Sequence, residues 1–163
     1  MPYVVRRVSE NRFERTQFVP LGRPRVFSFF EDATNLERIT PPFLGFRILS
    51  PLPIAMGQGT LIDYRIRLFG VPLRWRTRID EYEPPFRFVD TQLEGPYRLW
   101  RHTHLFEEQG EGTLITDRVD YEVGLGPLGA LARELFVRRT LEAIFDYRRR
   151  AIATLLPRRH ETA

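Results

Sequence analysis

The stretch Trp100-Arg101-His102-Thr103-His104-Leu105-Phe106, answered after a turn by Ile115-Thr116-Asp117-Arg118-Val119-Asp120-Tyr121, decides the fold. Successive side chains of a β-strand point to opposite faces. Trp100, His102, His104 and Phe106 therefore share one face of the first strand, and Ile115, Asp117, Val119 and Tyr121 one face of the second. A two-residue loop at Gly110-Glu111 sets Phe106 opposite Ile115, His104 opposite Asp117, His102 opposite Val119 and Trp100 opposite Tyr121, so the two faces coincide. Large aromatics mixed with two imidazoles and a carboxylate are unusual for plain core and common in the wall of a polar-lined pocket.

The same alternation extends upstream. Ile62, Tyr64, Ile66 and Leu68 alternate with Asp63, Arg65 and Arg67; after Gly70-Val71, Leu73, Trp75, Thr77 and Ile79 alternate with Arg74, Arg76, Arg78 and Asp80. This is a hairpin with one wet and one apolar face. A loop of Gly70-Val71 pairs Leu68 with Leu73, Ile66 with Trp75 and Tyr64 with Thr77. After Glu83-Pro84-Pro85 comes another strand, Phe86–Leu93, whose inward phase is Phe86, Phe88, Asp90 and Gln92, although Val89 and Leu93 argue for the opposite one. The expected concave wall carries Tyr64, Trp75, Thr77, Asp90, Gln92, Trp100, His102, His104, Asp117 and Tyr121.

Residues 12–20 read as a first strand, and Pro24 suits the first turn of a short helix that contains Val26, Phe27, Phe29 and Phe30. Asn35 is the expected N-cap of a second short helix, Leu36–Thr40, which Pro41-Pro42 stops. Phe46–Ser50 is a further strand. Beyond Pro127, an apolar stripe through Leu128, Leu131, Leu135, Leu141, Ile144, Phe145, Ile152 and Leu155 predicts one long C-terminal helix. A curved sheet with one apolar face needs a cover, and this helix is the only element large enough. The expected fold is α+β, a helix-grip: a curved antiparallel sheet of six to seven strands wrapped around a long C-terminal helix, with two short helices after strand 1, in one domain over residues 1–163.

Composition excludes several classes. The 163 residues hold no Cys, so disulfides, thiolate metal sites and thiol catalysis are ruled out. All 25 basic residues are Arg, and without Lys there is no Schiff-base chemistry. No apolar run reaches the roughly 18 residues of a membrane span. The start, Met1-Pro2-Tyr3-Val4-Val5-Arg6, lacks the apolar run of a secretory signal, and a bacterial-type cytoplasmic protein is the expectation. From Pro127 to Ala163 eight Arg face four acids, whereas the rest of the chain is neutral. A solvated helix face with a basic tail is the plain reading of that excess. An anionic partner, including peripheral contact with a membrane surface, is the sharper one. Nucleic-acid binding is disfavoured because Asp63 and Asp80 share the face of Arg74, Arg76 and Arg78, and no aromatics interleave there.

Three stretches, Asn35-Leu36-Glu37-Arg38-Ile39-Thr40-Pro41-Pro42, Trp100–Phe106, and Gly112-Thr113 followed by Asp117-Arg118-Val119-Asp120-Tyr121, resemble the START-like, Bet v 1-like superfamily. The resemblance is closest to its bacterial polyketide cyclase/dehydrase, or SRPBCC, group and covers nearly the whole chain. It implies a cavity under the long helix that takes a lipid, sterol, quinone, polyketide or hormone. It carries over no catalytic residue, because no invariant catalytic set spans the superfamily.

Three roles remain open for His102, His104 and Asp117: a His104–Asp117 hydrogen bond that only satisfies two buried polar groups, recognition of a ligand carbonyl or hydroxyl, or catalysis with His104 as a general base oriented by Asp117. A metal is not expected, since the two imidazoles and Asp117 find no clear fourth ligand except Asp90 and aromatics crowd them. No glycine-rich phosphate loop follows a strand, and no cofactor is expected. The expected function is binding of a small hydrophobic ligand (lipid, quinone or polyketide-like). The alternatives are a cyclase or dehydrase using His104 and Asp117, and a protein-interaction module with a basic C-terminal helix.

Overall fold

The computed structural model describes residues 11–68, 70–124 and 130–157. The expected helix entry at Pro127-Leu128, the terminal Arg158, Arg159 and His160, and the Met1–Arg6 start lie outside these residues. Element order follows the alternation of the sequence: β1 (Asn11–Val19), α1 (Arg23–Glu31), α2 (Thr34–Arg38), a 3₁₀ turn (Pro42–Leu44), β2 (Arg47–Ile48), β3 (Leu61–Leu68), β4 (Val71–Glu83), β5 (Arg87–Glu94), β6 (Tyr97–Gln109), β7 (Gly112–Val123) and α3 (Ala130–Leu155). The seven strands form one antiparallel sheet in the order β1-β7-β6-β5-β4-β3-β2. This is the α+β helix-grip.

The β6–β7 register is the expected one, with Trp100 opposite Tyr121, His102 opposite Val119, His104 opposite Asp117 and Phe106 opposite Ile115. Gly110, at φ 58°, supplies the left-handed residue that the tight turn requires. The β3–β4 register differs from expectation: Leu68 pairs with Val71, Ile66 with Leu73, Tyr64 with Trp75 and Ile62 with Thr77. The cause is the turn. Gly70, at φ 74°, is a loop residue, and Val71 already belongs to β4. The shift is by two residues, so every side chain keeps its face.

A second correction concerns α2. It begins at Thr34, with Ala33 at the N-cap position, and Asn35 is not its cap. Asp32 Oδ1 instead accepts from the Thr34 backbone N–H at 3.0 Å and from its hydroxyl at 2.6 Å, while the Asn35 amide donates to the Phe29 carbonyl at 2.9 Å.

Two apolar clusters seat the helix. Near its C-terminal end, Ile152 and Leu156 join Val19, Val26, Phe27, Phe88, Phe106 and Ile115. Phe27 meets Phe88 and Phe106 edge-on, with centroids 5.9 and 5.2 Å apart, an arrangement that adds quadrupole attraction to area burial. Further toward the N-terminal end, Val137, Leu141 and Phe145 pack on Phe13, Val119 and Tyr121. The helix therefore rests on the β1–β7 side of the sheet. The apolar face of β3–β5 is left only partly covered, and that asymmetry creates the site.

Phe106 is 1% exposed at the centre of the first cluster. Phe106→Ala is expected to cost about 3–5 kcal/mol, read as a lower urea midpoint at unchanged slope. A Cβ on Gly112 would come within 2.6 Å of the Val19 carbonyl oxygen, which is backbone of the neighbouring strand and cannot rotate away. Gly112→Ala is expected to lose about 1–3 kcal/mol in the same measurement.

Candidate functional site

The uncovered part of the sheet closes over a cavity of about 150 Å³. Its walls are mostly apolar: Phe29, Phe30, Leu36 and Ile39 from the short helices and the segment after them, Ile62, Ile66, Trp75 and Ile79 from β3 and β4, and Leu141, Ile144 and Phe145 from α3. Tyr64 stacks on Trp75 at 5.7 Å, and Trp75 meets Trp100 edge-on at 5.3 Å, so these rings form a continuous aromatic side. Tyr64, Trp75, Thr77, Asp90, Trp100, His102 and His104 all line this space.

Three expected wall residues are used differently. Gln92 is spent on the β5–β6 turn, donating to the Tyr97 carbonyl at 2.7 Å and accepting from its backbone N–H at 3.3 Å. Tyr121 is packed in the core between Phe13, Val119 and the helix. Asp117 sits behind the histidines, where a second, small polar pocket is lined by Asp117, Arg15, Gln17, Asp146, Arg148 and Arg149.

The polar floor is one connected network. Asp90 on β5 is the direct partner of His102 on β6, and His104 is the direct partner of Asp117 on β7. The hydrogen bonds nevertheless run diagonally: the His102 Nε2–H donates to Asp117 Oδ1 at 2.8 Å, and the His104 Nε2–H to Asp90 Oδ2 at 2.8 Å. The expected His104–Asp117 hydrogen bond is thus replaced by two others. His104 Nδ1 lies 3.2 Å from Asp117 Oδ1 as a charge contact without hydrogen-bond alignment. Diagonal neighbours come within reach of long side chains in a twisted sheet, and pairing by backbone register alone misses this. Thr77 closes the network at the other side, with its hydroxyl 3.3 Å from Asp90 Oδ1 and donating to the Thr91 carbonyl at 3.1 Å. The two imidazole rings, tilted by 30°, have centroids 3.7 Å apart, and Phe88 stacks on His104 at 4.1 Å.

Arg148 on α3 completes the network. It is buried, its Nη1 is 3.7 Å from Asp117 Oδ1, and its guanidinium lies 4.9 Å from the Phe145 ring centroid. Its Nε and Nη1 have no hydrogen-bond partner. The run Arg148-Arg149-Arg150 reads as a solvated basic face, yet Arg148 falls four residues from Ile144 and from Ile152, on the apolar stripe itself. That spacing was the signal for it.

Burial works against every charge in this cluster, and partners decide the outcome. For Asp117, burial raises the pKa, but the hydrogen bond from His102 and the close approach of the His104 ring nitrogen, with the nearby charges of His102 and Arg148, hold it well below the usual carboxylate range. Asp90 is held down in the same way, chiefly by His104. Burial lowers both imidazoles. For His104 the two carboxylates outweigh it and its pKa is raised; for His102 burial together with His104 prevails and its pKa is lowered. Burial also pushes the Tyr64 hydroxyl well up and that of Tyr97 to about 12.

A curved sheet gripping one helix around such a cavity defines a helix-grip protein, and the sequence agrees. Residues 19–146 match the model of the family described as polyketide cyclase / dehydrase and lipid transport, and the chain belongs to that family, within the SRPBCC or Bet v 1-like superfamily. Solved structures with the same fold include the Zhui aromatase/cyclase from Streptomyces sp. R1128, at TM-score 0.73 and 18% identity, covering 91% of this chain and 94% of that one. TTHA0849 from Thermus thermophilus is similar at TM-score 0.64 and 20% identity over 89% of this chain and 99% of its own. Ara h 8.0201 is similar at TM-score 0.59 and 16% identity over 88% and 98%. At these identities the likeness is one of fold. No curated protein matches the sequence. No helix among the described residues is long and apolar enough to cross a membrane.

Removing one member of a buried charge pair strands the other. Asp117→Asn is expected to destabilise the fold by about 3–5 kcal/mol. The double variant Asp117→Asn/Arg148→Met should lose less than the sum of the single losses, as read by chemical denaturation.

Proposed function

We propose that the protein binds a small, largely apolar molecule in the cavity between β3–β6 and α3, with the ligand's polar atom toward the Asp90–His102–His104 floor. One observation carries this reading: a cavity of about 150 Å³ whose walls are aromatic and aliphatic and whose polar groups are gathered at a single place. Pockets of that make-up combine apolar affinity with polar orientation. An apolar cavity of roughly 150 Å³ takes a benzene-sized molecule. The matching occupant is a single ring, or the ring-bearing or chain end of a longer lipid, quinone or polyketide-like compound. Family membership supports the same reading, since the family description spans cyclases, dehydrases and lipid transport.

A second reading, turnover as a cyclase or dehydrase, is favoured by the diagonal bonds. Each imidazole is oriented by its own carboxylate, as acid–base chemistry on a bound carbonyl compound requires. In this geometry His102, held by Asp117, takes the place expected for His104.

Native mass spectrometry of protein purified from its own cells tests the first reading. A non-covalent small-molecule adduct, released by organic solvent, is expected for the wild type. Ile144 lines the cavity from α3. Ile144→Trp fills that space and should weaken binding roughly tenfold or more, a loss of about 1.4 kcal/mol. Equal occupancy in wild type and Ile144→Trp would move the ligand out of the cavity. His102→Gln separates carrier from enzyme: retained binding with an unchanged bound compound supports the carrier, and accumulation of an uncyclised or undehydrated precursor supports turnover.

A further inference from the structure

We propose that Asp90, His102 and His104 form a binding site for one divalent transition-metal ion at the polar end of the cavity. The ligand atoms of these three side chains lie within 4.8 Å of one another. Metal bonds of about 2.1 Å place neighbouring ligand atoms roughly 3.0–3.4 Å apart, so the gathering needs side-chain adjustment only. His104 Nε2 and Asp90 Oδ2, at 2.8 Å, already stand as adjacent ligands would. All three residues project from paired strands, Asp90 from β5 and the histidines from β6. Strands fix ligand positions more closely than loops do.

The surroundings fit a metal. Asp117 holds Nε2 of His102 at 2.8 Å, which fixes the ring and leaves Nδ1 as its ligating atom. A carboxylate on the far nitrogen of a ligating imidazole is the usual outer-shell partner of a metal site. With both imidazoles neutral, as ligation requires, Asp90 and Asp117 carry two negative charges against the single positive charge of Arg148, and a bound cation offsets the excess. Arg148 faces Asp117 and is not one of the three ligands. Two nitrogens and one carboxylate oxygen are a donor set for Zn²⁺, Fe²⁺ or Co²⁺ rather than for Mg²⁺ or Ca²⁺. Three protein ligands leave positions open, and the three residues line the cavity, so an oxygen of a cavity ligand can complete the sphere.

The test is a titration of the full-length, chelator-treated protein with Zn²⁺, followed by calorimetry, and with Co²⁺, followed by its visible absorption. No apolar ligand is present, so a failure here leaves cavity binding standing, and a failure of cavity binding leaves this site standing. One equivalent is expected to bind. His102→Ala and His104→Ala should each weaken it by about 100-fold or more, and Asp117→Asn by about 10–100-fold, through the ring it orients. His160→Ala, which replaces the third histidine of the sequence, should change nothing. Ring-nitrogen NMR signals of His102 and His104 should move together with the added Zn²⁺ in the wild type, a readout that holds even where an alanine variant fails to fold. Absence of binding, or one-equivalent binding with those ring signals unmoved, would overturn the proposal.

Discussion

The carboxylate of Asp117 is the point at which sheet, cavity floor and helix meet. It accepts from His102, stands 3.2 Å from a ring nitrogen of His104, and faces the Arg148 guanidinium across 3.7 Å. Each of these groups is buried, and each alone would be costly to bury. Their mutual compensation lets an otherwise aromatic core hold four charged or titratable side chains. It also ties α3 to β7 by charge where the Phe13–Phe145 contact, at 5.2 Å, ties it to β1 by packing. The helix angle that opens the cavity is therefore held at both kinds of contact.

The hollow follows from where the helix rests. Val137, Leu141 and Phe145 are consumed against Phe13, Val119 and Tyr121, so α3 cannot also cover Ile62, Ile66 and Trp75. The short helices and the segment after them close the remaining side with Phe30, Leu36 and Ile39. The outer face of β3 and β4 is settled independently. Asp63 accepts from Arg76 at 2.8 and 3.0 Å, and Asp80 from Arg78 at 2.6 Å, which neutralises most of the arginine row. The charge of that face is thus balanced locally, and the net positive excess of the sequence lies in its C-terminal segment.

Most of the fold was legible because period-two alternation survives errors in register. The β3–β4 pairing moved by two residues when Gly70 took the turn, yet Tyr64 and Trp75 kept their side. The phase of β5 was ambiguous, since Val89 is as buried as Phe88, and Asp90 nonetheless faces inward. The site was legible as a set of residues and not as a set of bonds. Register names the residue directly opposite, whereas sheet twist brought His102 to Asp117 and His104 to Asp90 along diagonals. Gln92 and Tyr121 show the converse: both have the inward phase, but a turn claimed one and close packing the other. Arg148 is masked in the sequence by its neighbours Arg149 and Arg150, although it sits on the apolar stripe between Ile144 and Ile152.

The chain has two tryptophans, Trp75 and Trp100, and both line the cavity. Their indole N–H resonances therefore report directly on that space. Titration with toluene, followed by proton–nitrogen correlation spectra, tests the claim that this hollow accepts a ligand. Both indole signals should shift together and saturate, with the shifts of backbone amides concentrated on β3–β6 and the facing turn of α3. Indole signals that stay fixed at saturating toluene would show a core that admits nothing, and would contradict the account.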